Sequence, residues 1–252
     1  MENSSSIHFV SVNIERDRHY DTVLPFLKEQ NADVVCLQEV FERDIPLFEK
    51  ELGIKGFFAE MFQWPDSFEN PTEIISMGVA ILTKLPVEKT LLQYYKRGPK
   101  DIPVYVKYVE GGEDTVADVL LSLVVDVGGI SYVLGTTHFT WTPHGNTDDR
   151  QRRDLKNLLI KMEEFKNGIV FAGDFNAPRG GEIFDELSRN FKDNIPAEYA
   201  TSLDQKLHRN PGEVKYLMVD GLFSTPEYEV FDVSLRFGIS DHGAIIATIS
   251  KK

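Results

Sequence analysis

Acidic and amide side chains follow apolar runs at several separate places in this sequence. The clearest example is GIVFAGDFNAPRG, residues 168–180, where strand-like residues lead directly into Asp174 and Asn176. Gly, Asp, Asn and Pro are also the usual turn-forming residues, so this stretch alone predicts a turn equally well. The two interpretations separate only if other apolar runs end in the same kinds of side chain.

Other apolar runs do end in this way. They carry Asn13 in IHFVSVNI, Glu39 in DVVCLQEV, His138 in SYVLGTTHF, Asp220 in YLMVDGLF, and Asp241 with His242 in FGISDHGAI. A single Asp or His at a strand end is more often a turn or a satisfied hydrogen bond. Their recurrence is hard to attribute to turns alone, and it predicts one site built from many strand ends.

The chemistry of these side chains is that of phosphoester hydrolysis. Carboxylate and amide oxygens are hard ligands suited to Mg²⁺ or Mn²⁺, whereas zinc is disfavoured because a Cys ligand is absent. Hydrolysis needs a metal to polarise the phosphoryl oxygen, a group to direct water, and donors for the developing charge. These needs match Glu39 and Asp241 for the metal, Asp174 for water activation, Asn176 for phosphate positioning, and His138 and His242 for charge stabilisation.

Composition narrows the class of protein. The 252 residues are 42% hydrophobic and 27% charged, which is typical of a soluble globular protein. The net charge of −13 disfavours indiscriminate binding along duplex DNA. The start MENSSSIHFV has no signal-peptide pattern, and no apolar run approaches the roughly 20 residues of a membrane span. The single cysteine, Cys36, lies in an apolar run and predicts a buried thiol and a cytoplasmic location.

Strand and helix patterns alternate along the chain and predict a mixed sheet arrangement with helices outside, in a single domain over residues 1–252. Strand-like runs occur at 7–14, 34–37, 79–82, 119–127, 130–136, 169–172, 216–223 and 244–249, and amphipathic helical stripes at 20–27, 149–165 and 183–191. Gly128-Gly129 predicts an antiparallel hairpin between two of the strands. The segments 62–76 and 93–116 are predicted to be long, substrate-facing loops.

Several of these motifs, taken together and in order, resemble the endonuclease/exonuclease/phosphatase superfamily. The matching blocks are VNI, LQEV, GVAILTK, TTHF, GDFNAP, VDGLF and SDHGAI, and they span residues 7–249. The resemblance implies a DNase I-like fold, which is a four-layer α/β sandwich of two mixed β-sheets packed face to face with helices outside.

The resemblance also implies a role for each residue. Glu39 would be the principal ligand of Mg²⁺ or Mn²⁺, with Asn13 and Asp241 nearby. Asp174 would activate or orient the attacking water, and Asn176 would contact the phosphate. His242 would bind the phosphoryl oxygen with its ring oriented by Asp220, and His138 would be a second phosphate-side histidine. A simple strand-edge carboxylate is the alternative for Asp220.

Two departures from the family patterns favour particular branches. Abasic-site endonucleases carry Asn-x-Tyr-x-Pro where this chain has TTHFTW, which argues against abasic-site repair. Other members place a Glu before the Gly of the middle strand, whereas Met77 precedes Gly78 here, and Glu73 is the candidate substitute as partner of His138. The tyrosyl-DNA phosphodiesterase and sphingomyelinase-like branches tolerate that absence.

Three functions fit these residues and motifs. The first is a metal-dependent phosphodiesterase acting on a phosphoester in a nucleic-acid end or a small molecule, with no obligate protein partner. The second is a sphingomyelinase-like lipid headgroup phosphodiesterase, whose aromatic residues Phe62, Trp64, Phe68, Tyr94 and Tyr95 would touch the bilayer. The third is a non-catalytic binding protein of the same fold, which the intact set of site residues argues against.

Overall fold

A computed structural model describes residues 6–66, 72–106, 115–210, 212 and 216–252. The strands are β1 Ile7–Asn13, β2 Val34–Phe41, β3 Lys55–Pro65, β4 Ile74–Thr83, β5 Val87–Tyr94, β6 Val119–Val127, β7 Ile130–His138, β8 Val170–Asp174, β9 Lys192–Asp193, β10 Asp220–Ser224, β11 Tyr228–Arg236 and β12 Ala244–Lys251. The α-helices are α1 Tyr20–Gln30, α2 Ile45–Leu52, α3 Asp149–Met162 and α4 Glu182–Asn190. Short 3-10 turns lie at Glu42–Asp44 and Pro143–Gly145.

The strands form two six-stranded mixed sheets. The first sheet has the order β11-β12-β1-β2-β4-β3, and the second has the order β5-β6-β7-β8-β10-β9. Each sheet contains one parallel pair at its centre, β1 with β2 and β7 with β8. In both pairs a helix connects the two strands, as parallel pairing requires.

Alternation along the central strands creates four layers. In β1, Phe9 faces the core between the two sheets, whereas its neighbour Val10 faces α1 and α2. In β8, Val170 faces the same central core, whereas Phe171 packs with residues of α3 and α4. Because the two residue sets point to opposite faces of each sheet, the layers follow in the order helix, sheet, sheet, helix. The predicted four-layer α/β sandwich is confirmed.

Most predicted elements are present, including the β6–β7 hairpin with its turn at Gly128 and Gly129. The strand predicted over 216–223 begins later, at Asp220. The loop predictions are wrong at their ends, because 62–65 belongs to β3, 74–76 to β4 and 93–94 to β5. The single-domain assignment stays a prediction. Within the described part of the chain, none of the helices has the length and apolar character needed to cross a membrane.

Candidate active site

The ends of strands from both sheets meet at a cavity of about 650 Å³. Six of the predicted site residues line this cavity: Glu39, His138, Asp174, Asn176, Asp241 and His242. The other two, Asn13 and Asp220, are only 1% and 2% exposed and lie behind these residues, in contact with them. The structure therefore brings together all eight residues that the sequence predicts, although they come from six different segments of the chain.

Strand register places three of these residues side by side in the second sheet. Asp174 ends β8, opposite His138 on the parallel strand β7 and opposite Asp220 on the antiparallel strand β10. The backbone pairing continues one step further, since the Phe139 N–H donates to the carbonyl oxygen of Asp174 at 2.8 Å. The position of the Asp174 carboxylate is thus fixed by regular strand pairing on both sides.

The Asp174 carboxylate lies at the centre of the site. Its Oδ2 atom accepts a hydrogen bond from Asn13 Nδ2 at 3.1 Å and lies 3.4 Å from His138 Nε2 and 3.6 Å from His242 Nε2. Its Oδ1 atom accepts from the backbone N–H of Asn176 at 2.8 Å. Burial opposes ionisation, but the two histidines and these hydrogen bonds outweigh it and lower the pKa of Asp174 to about 2. Asp174 is therefore a carboxylate at neutral pH.

His242 is held by a second buried carboxylate. Its Nδ1 atom lies 2.8 Å from Asp220 Oδ2, which leaves Nε2 directed toward Asp174. Burial works against protonation of the ring, but the charges of Asp220 and Asp174 and the bond to Asp220 raise the pKa of His242 well above its usual range. An orienting role for Asp220 requires this contact with the His242 ring. A carboxylate that merely ended a strand would not need it.

His138 has no contact with the expected substitute carboxylate. Glu73 is largely exposed and instead pairs with Arg43 at 3.4 Å, and Met77 lines the cavity in its place. Burial disfavours the charged ring of His138, but the hydrogen bond and charge of Asp174, together with the charges of Glu39 and Asp118, raise its pKa to about 9. Asp174 is thus the direct partner of His138.

Asn176 forms a turn and also lines the candidate site. Its φ of 49° is left-handed, a conformation that Asn tolerates, and its backbone N–H closes an Asx-turn on Asp174. Its side-chain Nδ2 donates to the carbonyl oxygen of Phe139 at 2.8 Å. The turn fixes the side chain at the wall of the cavity, so turn chemistry and site geometry have the same structural basis here.

Glu39 reaches the cavity through an irregularity in β2. The pairing of β2 with β4 shifts between Leu37 and Val40, and Glu39 within this bulge has a φ of 54°. Bulges redirect side chains in this way and are common beside active sites. Asn13 Nδ2 donates to Glu39 Oε1 at 3.3 Å as well as to Asp174, so Asn13 connects the predicted metal ligand Glu39 to the Asp174 carboxylate.

Comparisons with known proteins identify the family. A family model described as the Endonuclease/Exonuclease/phosphatase family matches residues 10–242. The chain belongs to this family. The resemblance stated from the motifs is confirmed. A comparison with curated proteins finds no sequence that matches.

Solved structures support the same fold at low sequence identity. An endonuclease/exonuclease/phosphatase from Bacteroides vulgatus aligns with a TM-score of 0.73 and 16% identity, covering 98% of this chain and 99% of that chain. The human Nocturnin catalytic domain with a bound sulfate anion aligns with a TM-score of 0.66 and 16% identity, covering 99% and 96%. TDP2 from C. elegans aligns with a TM-score of 0.65 and 22% identity, covering 97% and 75%.

The donor set at the cavity fits the divalent metal that members of this family generally use. Glu39 and Asp241 supply hard carboxylate oxygens on the same cavity. A carboxylate oxygen of Asp241 also lies within 4.8 Å of ligand atoms of Glu15 and His19. The Asn13 side-chain oxygen accepts from the Glu15 N–H at 3.1 Å, which favours an orienting role for Asn13 over direct coordination. Coordination by Glu39, Asp241 and Asn13 stays a prediction.

The sequence reasoning missed Glu15, which organises a charged cluster at the cavity edge. Glu15 is 3% exposed, and its carboxylate lies within salt-bridge distance of Arg16 at 3.4 Å, Arg18 at 3.0 Å, His19 at 3.1 Å and Arg209 at 3.1 Å. The dense ERDRH run, which begins two residues after the end of β1, is the signal that could have indicated it. Arg209 carries no such signal, because it is 194 residues away in the chain.

Proposed function

We propose that this chain is a divalent-metal-dependent phosphodiesterase that cleaves its substrate by in-line attack of water. The observation that carries the proposal is the Asp174 carboxylate set between His138 and His242, at one wall of a cavity that Glu39 also lines. An ionised carboxylate between two protonated imidazoles can take a proton from water while both rings donate to phosphoryl oxygens.

Each residue has a defined part in this chemistry. Asp174, ionised because of its low pKa, holds the attacking water and accepts its proton. His242 donates from Nε2 to a phosphoryl oxygen because Asp220 occupies its Nδ1 atom. His138 supplies a second donor as negative charge develops. Asn13 holds the Glu39 carboxylate in place. A Mg²⁺ or Mn²⁺ ion bound by Glu39 and Asp241 would polarise the phosphoryl oxygen.

The proposed substrate is a phosphoester in a nucleic-acid end or a small molecule. In a chain of net charge −13, cations must be concentrated locally to attract a phosphate, and Arg16 and Arg209 line the cavity. The human Nocturnin catalytic domain, which shares the fold, holds a bound sulfate anion, and sulfate has the shape and negative charge of a phosphate group. The cytoplasmic location stays a prediction.

Two of the five aromatic residues that motivated the lipid headgroup alternative are buried, and a third is half-buried. Phe62 and Tyr95 are 6% and 3% exposed, so neither can touch a bilayer. Tyr94 is half-buried and donates through its hydroxyl to the carbonyl oxygen of Glu60 at 2.7 Å. Trp64 packs against the central core from the cavity side, and Phe68 lies outside the described residues.

The proposal is tested by hydrolysis of bis(p-nitrophenyl) phosphate with Mg²⁺, with Mn²⁺ and with excess chelator. Asp174→Asn retains the size and most hydrogen bonds but cannot accept a proton, so we expect kcat to fall by roughly 10²–10⁴-fold. The matched control is Asp126→Asn, because the Asp126 carboxylate accepts a turn hydrogen bond from the Gly129 N–H and does not line the cavity. It should retain wild-type activity.

Two outcomes would overturn the proposal. Activity that persists in excess chelator would remove the metal from the mechanism. A single-turnover rate of Asp174→Asn within about threefold of wild type would mean that the GDFN motif only forms a turn, because Asn is as good a turn residue as Asp.

A further inference from the structure

Ser202 is a buried residue that joins two other segments behind the candidate active site. It is 0% exposed and does not line the cavity. Its backbone N–H donates to the carbonyl oxygen of Leu217 at 3.2 Å, and its own carbonyl oxygen accepts from the Gly243 N–H at 2.7 Å. Ser202 therefore connects the segment that leads into β10 to the segment that leads into β12. Asp220 begins β10, and His242 lies two residues before β12.

The Ser202 hydroxyl uses all of its hydrogen-bonding capacity at the start of β10. Its Oγ atom accepts from the backbone N–H groups of Val219 and Asp220, both at 3.0 Å. Burial raises the pKa of the Asp220 carboxyl, whereas a hydrogen bond from the Ser202 side chain lowers it, so the hydroxyl donates to the carboxylate. A serine hydroxyl has two acceptor sites and one proton, and all three are used here. One oxygen atom thus holds both the backbone and the carboxylate of Asp220.

The backbone of the same segment aligns His242 with Asp220. Leu203, the next residue, forms an antiparallel bridge with His242. Two backbone hydrogen bonds flank this bridge, because the Ser202 carbonyl oxygen accepts from the residue after His242, and the Asp204 N–H donates at 2.8 Å to the carbonyl oxygen of the residue before it. The side chain of Ser202 thus fixes the carboxylate, and the backbone around it fixes the residue that carries the imidazole.

We propose that Ser202 is a positioning residue for the reaction, which holds Asp220 so that His242 directs its Nε2 atom to the phosphoryl oxygen. This inference rests on the proposed function, because it adds a residue to the same reaction. Ser202 contacts Asp220, which in turn lies 2.8 Å from the His242 ring. The Nε2 atom of that ring then faces Asp174. The Ser202 hydroxyl therefore acts on the reacting atoms without touching them.

Loss of the Ser202 hydroxyl should move the Asp220 carboxylate. Two buried backbone N–H groups would lose their acceptor, and the carboxylate would lose one of its donors. Buried polar groups without a partner are unfavourable, so the start of β10 must shift to satisfy them. A displacement on the order of 1 Å at a catalytic group is enough to lower a rate by roughly 100-fold.

Steady-state hydrolysis of bis(p-nitrophenyl) phosphate tests this role. In Ser202→Ala we expect kcat to fall by roughly 10- to 100-fold, the range for losing a hydrogen-bond partner behind a functional group. KM should change much less, because His242 contributes most as charge develops on the phosphoryl oxygen. Ser202→Thr keeps the hydroxyl and should recover most of kcat.

Ser224→Ala is the matched control. Ser224 is 1% exposed at the other end of β10, and its hydroxyl oxygen accepts from Asn194 Nδ2 at 2.9 Å. Both alanine variants remove a buried hydroxyl that β10 contacts, so denaturant unfolding should show a loss of stability in each, whereas kcat should fall only in Ser202→Ala. If Ser202→Ala does not fold, Ser202→Cys provides the test, because a thiol is a weak donor and acceptor, and its kcat should also fall.

Proton NMR of the metal-free protein gives a readout that does not depend on turnover. The His242 Nδ1 proton, held by Asp220, should give a downfield signal that is protected from exchange with solvent. His242→Gln lacks the ring and therefore assigns this signal. At a fixed pH the signal should broaden or disappear in Ser202→Ala, and it should persist in Ser202→Thr and Ser224→Ala.

An unchanged Nδ1 signal in Ser202→Ala would overturn the inference, because the Asp220–His242 contact would then not depend on the hydroxyl. A fall in kcat as large in Ser224→Ala as in Ser202→Ala would overturn it too. Either result leaves the proposed function standing as long as the wild type hydrolyses the phosphodiester. A signal that depends on Ser202 in a wild-type protein without hydrolysis would instead contradict the proposed function and support Ser202 as the residue that positions Asp220.

Discussion

At the scale of single residues, the charges in the candidate site are set by mutual contact. Asp174 is buried, and it remains ionised because His138 and His242 lie beside it. The same contacts keep both rings protonated, since burial alone would lower their pKa values. Asp174 and the two imidazoles stabilise each other's charges, and Asp220 adds to the charge of His242, so these residues titrate as a group.

The pKa of His138 gives a prediction that NMR can check in the metal-free protein. Its folded pKa is raised from 6.5 to about 9, so the imidazolium signal should persist through neutral pH. His208 should behave in the opposite way, because burial lowers its pKa. In Asp174→Asn the titration of His138 should move to lower pH, since its main partner has lost its charge. A His138 that titrates at or below 6.5 in the wild type would contradict the assigned contact.

The same shift predicts a pH window for stability. A histidine with a raised folded pKa contributes stability that is fully present below the unfolded value, near 6.5, and is lost as pH rises through about 9. Asp174, with a lowered folded pKa, contributes stability that is lost as pH falls toward about 2. Denaturant unfolding measured between pH 6 and pH 10 should therefore show a decline, and this decline should be smaller in Asp174→Asn, where His242 keeps its Asp220 partner.

The sequence predicts the identity of these residues better than their partners. Strand ends rich in Asp, His and Asn are visible in the pattern, and all eight predicted residues meet. The link from Glu15 to Arg209 and the absence of a contact between Glu73 and His138 could not be predicted. Both depend on where loops return in space, and local pattern carries no information about that.

At the scale of elements, the bulge in β2 is what gives Glu39 access to the cavity. Glu39→Gln keeps the shape of the side chain and removes one charge, so the fold should be retained. We expect Mg²⁺ affinity, measured by calorimetry, to fall by roughly 10- to 100-fold or more, because even indirect ligand contacts are worth this much. Glu42→Gln is the control, since Glu42 is exposed in the 3-10 turn directly after β2. Unchanged affinity in Glu39→Gln would exclude Glu39 from the metal site.

The close pairing of β8 with β7 leads to a prediction at Gly173. A Cβ atom at this position would lie 1.9 Å from the carbonyl oxygen of Thr137 on β7, which is backbone and cannot move aside. Gly173→Ala should push β8 away from β7 and displace Asp174 from His138. We expect a loss of about 1–3 kcal/mol in unfolding free energy. We also expect hydrolytic activity to fall in the protein that remains folded, because Asp174 no longer lies beside His138.

The control for Gly173→Ala is Gly98→Ala, because a Cβ atom at Gly98 would meet nothing within 4 Å. Its stability and activity should match the wild type in denaturant unfolding and hydrolysis assays. A Gly173→Ala protein as stable and active as this control would show that the β7–β8 contact does not position Asp174.

The elements that the sequence did not predict are the edge strands and one short helix. β3, β5 and β11 alternate less clearly, because an edge strand buries only part of one face and carries exposed polar residues. α2 has eight residues, too few for a clear helical period. The central strands were predicted because burial on both faces makes them continuously apolar.

At the scale of the whole molecule, the two sheets share one core, and Cys36 lies inside it. Cys36 is on β2 of the first sheet, and its Sγ atom lies 4.0 Å from the carbonyl oxygen of Gly135 on β7 of the second sheet. The predicted burial of the thiol is confirmed, since Cys36 is 0% exposed. A reagent can reach this sulfur only if the two sheets separate.

Alkylation of Cys36 should therefore report unfolding of the whole sandwich. Burial raises the pKa of the thiol, which suppresses the reactive thiolate as long as the sheets stay packed. We expect labelling by iodoacetamide at pH 8 to be slow in the native protein and to accelerate with denaturant. The denaturant slope should equal that of global unfolding followed by circular dichroism, because exposure of Cys36 needs the full opening. The chain has one cysteine, so mass spectrometry reads this site without ambiguity, and Cys36→Ala is the blank. Labelling that is independent of denaturant would mean that Cys36 is exposed by local motion, and the two sheets would not then unfold as one unit.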